Sequence, residues 1–262
     1  MINKEEIMPS ISAVIITYNE EKNIARCIES VSRVADEILV VDSFSTDTTE
    51  SICKNLGATF IQHAFEGHIE QKNFALSQAK HDYILSLDAD EALSPELEAR
   101  IAAIKKDWKH DGHECNRLTS YCGQWIRHSG WYPDPKIRLF DRKKASWGGI
   151  NPHDRIIMAP DATTRRIPGD ILHYTFNSVA EHVAQVNKFS EIKAEGLFKK
   201  GATISPLRLV VEPLFKFFKS YVLQAGFLDG WYGLIISVNS AHAIFLRYAK
   251  LYEKNRAARE KK

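Results

Sequence analysis

Asp88 and Asp90 are the residues of this sequence best placed to do chemistry. They stand one residue apart at the end of the run Tyr83-Ile84-Leu85-Ser86-Leu87, a short apolar stretch that reads as a buried strand. In an open α/β sheet, ligands gather just beyond the carboxyl ends of strands. Side chains two positions apart in a strand point the same way, so both acids can lean into one crevice. Two carboxylates held that close repel unless something positive lies between them. A divalent cation meets the need: Mg²⁺ or Mn²⁺ takes oxygen ligands from one or two carboxylates and from substrate phosphates. The structural alternative is a solvated loop with two acids, and the pair alone does not choose between them.

The elements that must position this pair are legible upstream. Ile11–Thr17 is a β-rich apolar run broken by Tyr18-Asn19-Glu20-Glu21. Residues 23–32 carry helical spacing at Ile24, Cys27, Ile28 and Val31. Glu37–Asp42 is a second strand, and Asp47 with Glu50 resembles a capping box opening a helix through Leu56. Gly57 ends that helix, a third strand covers 58–62, and a third helix covers 71–79. Tyr83–Leu87 is the fourth strand. Ser94 followed by Pro95 reads as an N-cap with proline at the first helical position, opening a helix through Lys106. Strands alternating with helices imply an α/β fold with a parallel, right-handed, doubly wound sheet. No G-x-G-x-x-G follows the first strand and no G-x-x-x-x-G-K-[ST] occurs, which argues against a dinucleotide dehydrogenase and a P-loop NTPase. Asp42, ending the second strand, can accept hydrogen bonds from a ribose or a base edge, or simply start a turn.

Composition sets the outer bounds. The 262 residues are 44% hydrophobic and 26% charged, with a net charge of +2. That is ordinary globular protein, long enough for one large core or two smaller ones, with no global case for a nucleic-acid partner. Cys27, Cys53, Cys115 and Cys122 show no C-x-x-C spacing and read as reduced thiols. Met1–Ser10 lacks an apolar h-region, so no secretory signal is expected. No stretch reaches the about 18 apolar residues of a spanning helix.

With the motifs in view, a family resemblance follows. ISAVIITYNEEKNIARCIESV, then EILVVDSFSTDTTE, then QKNFALSQAKHDYILSLDADE resembles the family 2 glycosyltransferases of GT-A fold, whose pattern runs V-x-x-Y-N, V-D-D-x-S-x-D-x-T, K/R-N-x-x and D-x-D. Ser43 stands where the pattern has its second Asp. The resemblance implies a GT-A type, doubly wound, mostly parallel sheet with a C-terminal helical extension. It implies that Thr17, Tyr18, Asn19 and Glu20 line the base pocket and that Asp42 meets the uracil of a UDP-sugar donor. Lys72 and Asn73 then lie near the diphosphate or ribose, Asp88 near the ribose or sugar, and Asp90 on the metal. Lys72 has the alternative of a solvated helix face. Inverting transfer needs a base opposite the leaving nucleotide. Asp154, in Asn151-Pro152-His153-Asp154, sits where the family places such a pair, with His153 orienting it or touching the donor. Asp134 is the second candidate, and pairing of Asp154 with Arg155 or Arg142 is the structural alternative. His173 completes the metal shell or is a satisfied structural histidine.

From Gly112 to Phe176 short strands (116–121, 136–141, 155–158, 170–175) are split by Gly, Pro and Trp, resembling an acceptor-binding half. Trp125, Trp131, Tyr132 and Trp147 stack on sugars or fill core; the cluster from Arg127 to Arg142 mixes polar and aromatic residues as a carbohydrate site does. Residues 1–176 are thus expected to form the catalytic domain and 177–262 a helical region. Ser178 and Glu181 form a second capping box, opening a helix through Lys199. Beyond it, Phe215, Phe218, Tyr221 and Val222 fall at helical spacing beside Lys216 and Lys219. This is the pattern of an interfacial helix attracted to an anionic membrane surface, or of a hairpin covering a sheet edge. The GWYPDPKIRLF and GFLDGWYGL runs extend the resemblance to bacterial lipopolysaccharide core β-1,4-glucosyltransferases. That implies glucose transfer to a heptose on a lipid-linked saccharide acceptor at the cytoplasmic face of the inner membrane. The rivals are a polyprenyl-phosphate sugar synthase, a non-catalytic nucleotide-sugar-binding module, and a flavodoxin-like signalling domain, which would need neither the aromatic middle nor the basic tail.

Overall fold

The computed structural model describes residues 8–151 and 153–260. Most of the stretch read for a leader, Pro152, the last two lysines, and the side chains of His153 and Pro206 lie outside the described residues. The chain forms two compact units. The first is the chain up to Leu118 with Asp134–Tyr174; the second is Thr119–Pro133 with the chain from Thr175 onward.

The elements in order are β1 (Ile11–Thr17), α1 (Ile24–Val31), β2 (Glu37–Asp42), α2 (Thr49–Asn55), β3 (Thr59–Gln62), α3 (His68–Gln78), β4 (Tyr83–Asp88), β5 (Glu91–Leu93) and α4 (Pro95–Lys106). There follow β6 (Gly112–Tyr121), β7 (Gln124–Ile126), β8 (Pro135–Asp141), β9 (Ala145–Ile150), β10 (His153–Met158) and β11 (Thr164–Phe176). Helices α5 (Val179–Lys199), α6 (Pro206–Phe218) and α7 (Gly230–Glu260) close the chain, with a π-helical turn at Lys219–Leu223 and a 3₁₀ turn at Gly226–Asp229 between the last two.

The sheet runs β3-β2-β1-β4-β8-β6-β11-β5. Its first half is parallel, as the alternation predicts: Ile15 of β1 pairs with Val40 of β2 and Leu87 of β4. At β8 the direction reverses, and β8 pairs antiparallel with both β4 and β6. The sheet is therefore mixed, its parallel half followed by an antiparallel one. Alternate residues of β1 serve two cores. Ile11, Ala13 and Ile15 pack with Ile24, Cys27 and Ile28 of α1 and Leu97 and Ile101 of α4. Val14 packs with Ala75 and Leu76 of α3, Phe140 and Trp147 on the other face. The cysteines are free thiols.

Two helix starts differ in detail from expectation. The cap position of α2 is Thr48, with Asp47 one residue earlier accepting the Thr49 N–H at 3.0 Å, and Glu50 pairs with Lys54 instead of closing a box. Helix α3 begins at His68 rather than 71. Its first turn is satisfied from afar, because Asn151 Oδ1 accepts the Ile69 N–H at 3.1 Å while its amide donates to Glu70 at 2.8 Å. Gly67 leaves room for this, since a side chain there would collide with Asn151 and Glu70.

In the second unit, Tyr121, Ile126, Phe176 and Ile236 form one apolar cluster, with Trp131 and Tyr232 against it. His182 of α5 lies among these rings, its Nδ1 3.1 Å from the Tyr121 hydroxyl. Burial pushes this imidazole down to about 4. Ser178 caps α5 by accepting the Glu181 N–H at 3.2 Å. No described helix is long and apolar enough to cross a membrane.

Candidate active site

The site grows from the end of β4. Asp88 ends the strand and Asp90 stands in the turn to β5. The turn is held from within: Glu91, 1% exposed, accepts the Asp88 N–H at 3.0 Å on Oε2. It receives Arg138 Nη2 on Oε1 at 2.8 Å. Arg138, carried in by β8, also lies 3.3 Å from Asp88 Oδ2. On the other side Lys72 of α3 lies 2.9 Å from Asp88 Oδ1 and 2.7 Å from Asp154 Oδ2. One ammonium thus joins the acid at the end of β4 to the acid at the start of β10. Burial works against the charge on Asp88, but Lys72, Arg138 and then Arg117 hold its carboxyl far below the usual carboxylate range. Burial likewise opposes the charge on Arg138, and Glu91, Asp88 and Asp154 more than restore it.

Lys72, Asp88, Arg138 and Asp154 line a cleft of about 490 Å³ with Glu114, Arg117, Lys136, Trp147, Arg155 and Ile156 among its walls. Trp147 lies under the charges, its ring 4.2 Å from Lys72 Nζ and 5.3 Å from the Arg138 guanidinium carbon. Buried atoms without a partner among the described residues include Arg138 Nε and Nη1 and Trp147 Nε1. All three are donors, and a buried donor left unpaired costs about 1–3 kcal/mol. A wall of this kind suits a ligand rich in acceptor oxygens.

Asp90 Oδ2 lies 3.1 Å from His173 Nε2, which β11 delivers opposite Glu91. Glu20 is close by. Burial raises its pKa; the Asn23 side chain pulls it back, and Asp90 and Asp47 raise it further. Among the described residues no group of three or more His, Cys, Asp or Glu side chains is arranged to hold a metal. The Asp90–His173 pair nevertheless fits a cation that takes the rest of its shell from substrate phosphates. Both oxygens of Asp88, by contrast, face cations of the protein itself.

At the end of β1 the polar turn is laced to the segment after β2. Asn19, in the left-handed conformation at φ 53°, accepts the Thr46 N–H at 2.8 Å. The Asn19 and Glu20 N–H groups donate to Ser45 and Thr49 hydroxyls at 2.7 and 2.9 Å. Asp42 is fully buried and closes this turn, accepting the Ser45 N–H at 2.8 Å and its hydroxyl. Tyr18 projects outward, 58% exposed, and the buried Thr17 hydroxyl has no partner among the described residues. The Asn73 amide pairs with the Trp147 backbone at 2.9 and 3.0 Å, tying α3 to β9. Asp134 is occupied by Arg117 at 3.0 Å and Lys136 at 2.8 Å. The polar–aromatic cluster around residues 127–142 is divided between the units. Its first part is held by Asp229, which accepts the Arg127 and His128 N–H groups at 3.2 and 2.9 Å.

Arg138, Glu91 and Arg117 escape a reading of the sequence alone. A signal exists for Arg138: it alternates in step with Phe140, which is fully buried, so a strand places both on an inward face.

The structure thus joins a mixed α/β sheet, an acid pair at the end of its fourth strand and in the turn beyond it, and a cationic cleft alongside. The model for glycosyl transferase family 2 matches residues 12–158, and the chain belongs to that family. It is 36% identical over 256 residues to an uncharacterized glycosyltransferase of Rickettsia typhi, spanning 94% of this chain and 88% of that one. It is 28% identical over 258 residues to the lipopolysaccharide core biosynthesis glycosyltransferase LpsC of Rhizobium meliloti, spanning 94% and 93%.

Proposed function

We propose that this glycosyltransferase moves a hexose, glucose in the first instance, from a UDP-sugar to a core saccharide of a lipid-linked lipopolysaccharide acceptor, with inversion. The observation that carries the reading is the cleft in which Lys72 is shared between Asp88 and Asp154, beside unpaired buried donors of Arg138 and Trp147. Uridine lies against Tyr18, on the turn that Asp42 closes. The diphosphate meets Lys72 and Arg138, whose charges compensate the leaving group. Asp90 and His173 would hold a Mg²⁺ or Mn²⁺ ion, which when bound supplies Lewis-acid charge to the diphosphate. Asp154, oriented by Lys72, takes the proton of the acceptor hydroxyl. The likeness to LpsC supports the acceptor class.

A screen of UDP-sugars against extracted core saccharide, read by product mass, tests the reading. The expected result is one hexose added from one donor. No transfer and no donor hydrolysis with any UDP-sugar, in the presence of Mg²⁺ or Mn²⁺, would overturn it.

A further inference from the structure

Helix α6 turns an apolar stripe outward. Leu207, Val210, Val211, Leu214, Phe215 and Phe218 recur at the i, i+3, i+4 spacing that ordinarily faces a core. All six are exposed, from 47% at Phe218 to 71% at Leu207. The less exposed side of the helix is mixed, carrying Glu212 and Lys216 beside Leu209, Pro213 and Phe217. There Glu212 accepts from the Tyr248 hydroxyl and pairs with Arg208 at 2.6 Å and Arg247 at 3.6 Å, and Leu209 packs against the cluster of Ala194, Tyr248 and Leu251. The exposed series runs on through Leu223 at 63%, Leu228 at 62% and Trp231 at 81%. Single exposed apolar residues need no explanation; a contiguous face does.

The charge beside this face has one sign. Between Ser205 and Trp231 the two acids are Glu212, turned inward and paired, and Asp229, buried against His128. Lys216 and Lys219 have no ion pair among the described residues. Burial, and then the neighbouring Lys219 and Lys193, push the Lys216 ammonium below its ordinary value. A symmetric pairing of two copies through this face would set like charges together. An anionic surface would relieve them, and an exposed tryptophan suits the headgroup boundary.

We infer that the α6 face and the elbow leading to Trp231 dock in the interfacial layer of a bilayer bearing anionic headgroups, Leu214, Phe218 and Trp231 entering the acyl boundary and Lys216 and Lys219 meeting the headgroups. This deepens the proposed acceptor class, since a lipid-linked saccharide lies at such a surface.

Vesicle flotation of the full chain tests it, using phosphatidylcholine alone and phosphatidylcholine mixed with phosphatidylglycerol. Binding to the mixed vesicles is expected to be at least roughly tenfold tighter and to weaken with salt. Combined Leu214→Ser, Phe215→Ser and Phe218→Ser, all at exposed positions, should lower partition by roughly a hundredfold. Lys216→Gln with Lys219→Gln should remove only the preference for anionic lipid. Brominated acyl chains should quench a fluorescence component that Trp231→Phe abolishes. The inference falls if the chain floats with neither vesicle. It also falls if light scattering finds a dimer that the triple serine variant turns into a monomer. UDP binding on the same preparation separates the two readings. UDP bound without flotation removes the docking face alone; flotation without UDP binding removes the transfer reading alone.

Discussion

In the first unit charge goes inside: Lys72, Arg138 and Glu91 are 4%, 3% and 1% exposed. In the second, apolar surface goes outside, with Leu207, Leu214 and Trp231 at 71%, 65% and 81%. Each arrangement costs free energy taken alone. Desolvating an ion is expensive unless its partners are well placed, and a bare apolar face forfeits the main driving force of folding. Neither is forced by the surrounding architecture, since β1 alternates between two ordinary cores and α5 and α7 bury Ala194, Tyr248 and Leu251 in the usual way. Departures of this kind concentrate where a protein meets something other than itself. The polarity of each departure underlies the two proposals above: oxygen-rich anions for the cleft, hydrocarbon with anionic headgroups for α6.

The comparison is open to attack at several points. The largest effect is expected at Asp90. Asp90→Ala should lower turnover by roughly a thousandfold and abolish any Mn²⁺ dependence of UDP affinity in calorimetry; unaltered, metal-responsive binding would count against a cation at this turn. Lys72→Met keeps the stem but strips the shared charge from Asp88 and Asp154. Because a buried charge left without its partner is costly, we expect a loss of roughly 3 kcal/mol in denaturant unfolding, at the low end because Arg138 remains on Asp88.

Acid should strike next. His182 has a pKa near 4 against an ordinary 6.5, so the unfolded chain binds the proton first. Its contribution is intact above 6.5, fades as pH falls and is gone below about 4, a loss of roughly 3 kcal/mol. His113, also pushed down to about 4 by burial, adds in the same window within the first unit. Asp88, held low, matters only below its ordinary 3.8. His182→Phe should flatten the stability–pH curve between 6.5 and 4, and an unchanged slope would contradict its burial as a neutral ring. The smallest effect is the sharpest contrast. Leu214→Ser should change stability by no more than about 0.5 kcal/mol, whereas Leu85→Ala, in the sheet core at 1% exposure, should cost about 2–5 kcal/mol.

Legibility in the sequence follows the range over which a signal acts. Strands β1 to β4, the apolar positions of α1 and the caps of α4 and α5 depend on neighbours a few residues away, and they were readable. So was the acid pair after β4. The short strands β5, β7 and β9 were not, being three to six residues long and defined only by what they pair with. The ion network was hidden because its members lie far apart in sequence. Arg138 and Glu91 are separated by 47 positions, and nothing local tells an arginine in a strand that it will be buried. Helix α6 shows the same limit differently. Its stripe is plain from spacing, yet spacing carries no direction, and only the packing of Glu212 against Tyr248 and Arg247 fixes which way the stripe faces.

The two amide side chains that fasten α3 have a consequence for the order of events during folding. Asn151 reaches Ile69 across 82 residues and Asn73 reaches Trp147 across 74. Closing segments so distant is slow relative to forming a helix. The ribbon of β9 and β10 must therefore arrive before the first turn of α3 is secured and Lys72 is locked between its two acids. The charged corner around Lys72 is then complete only once that ribbon is in place. A chain caught before that moment would carry a formed parallel sheet with its cleft unfinished.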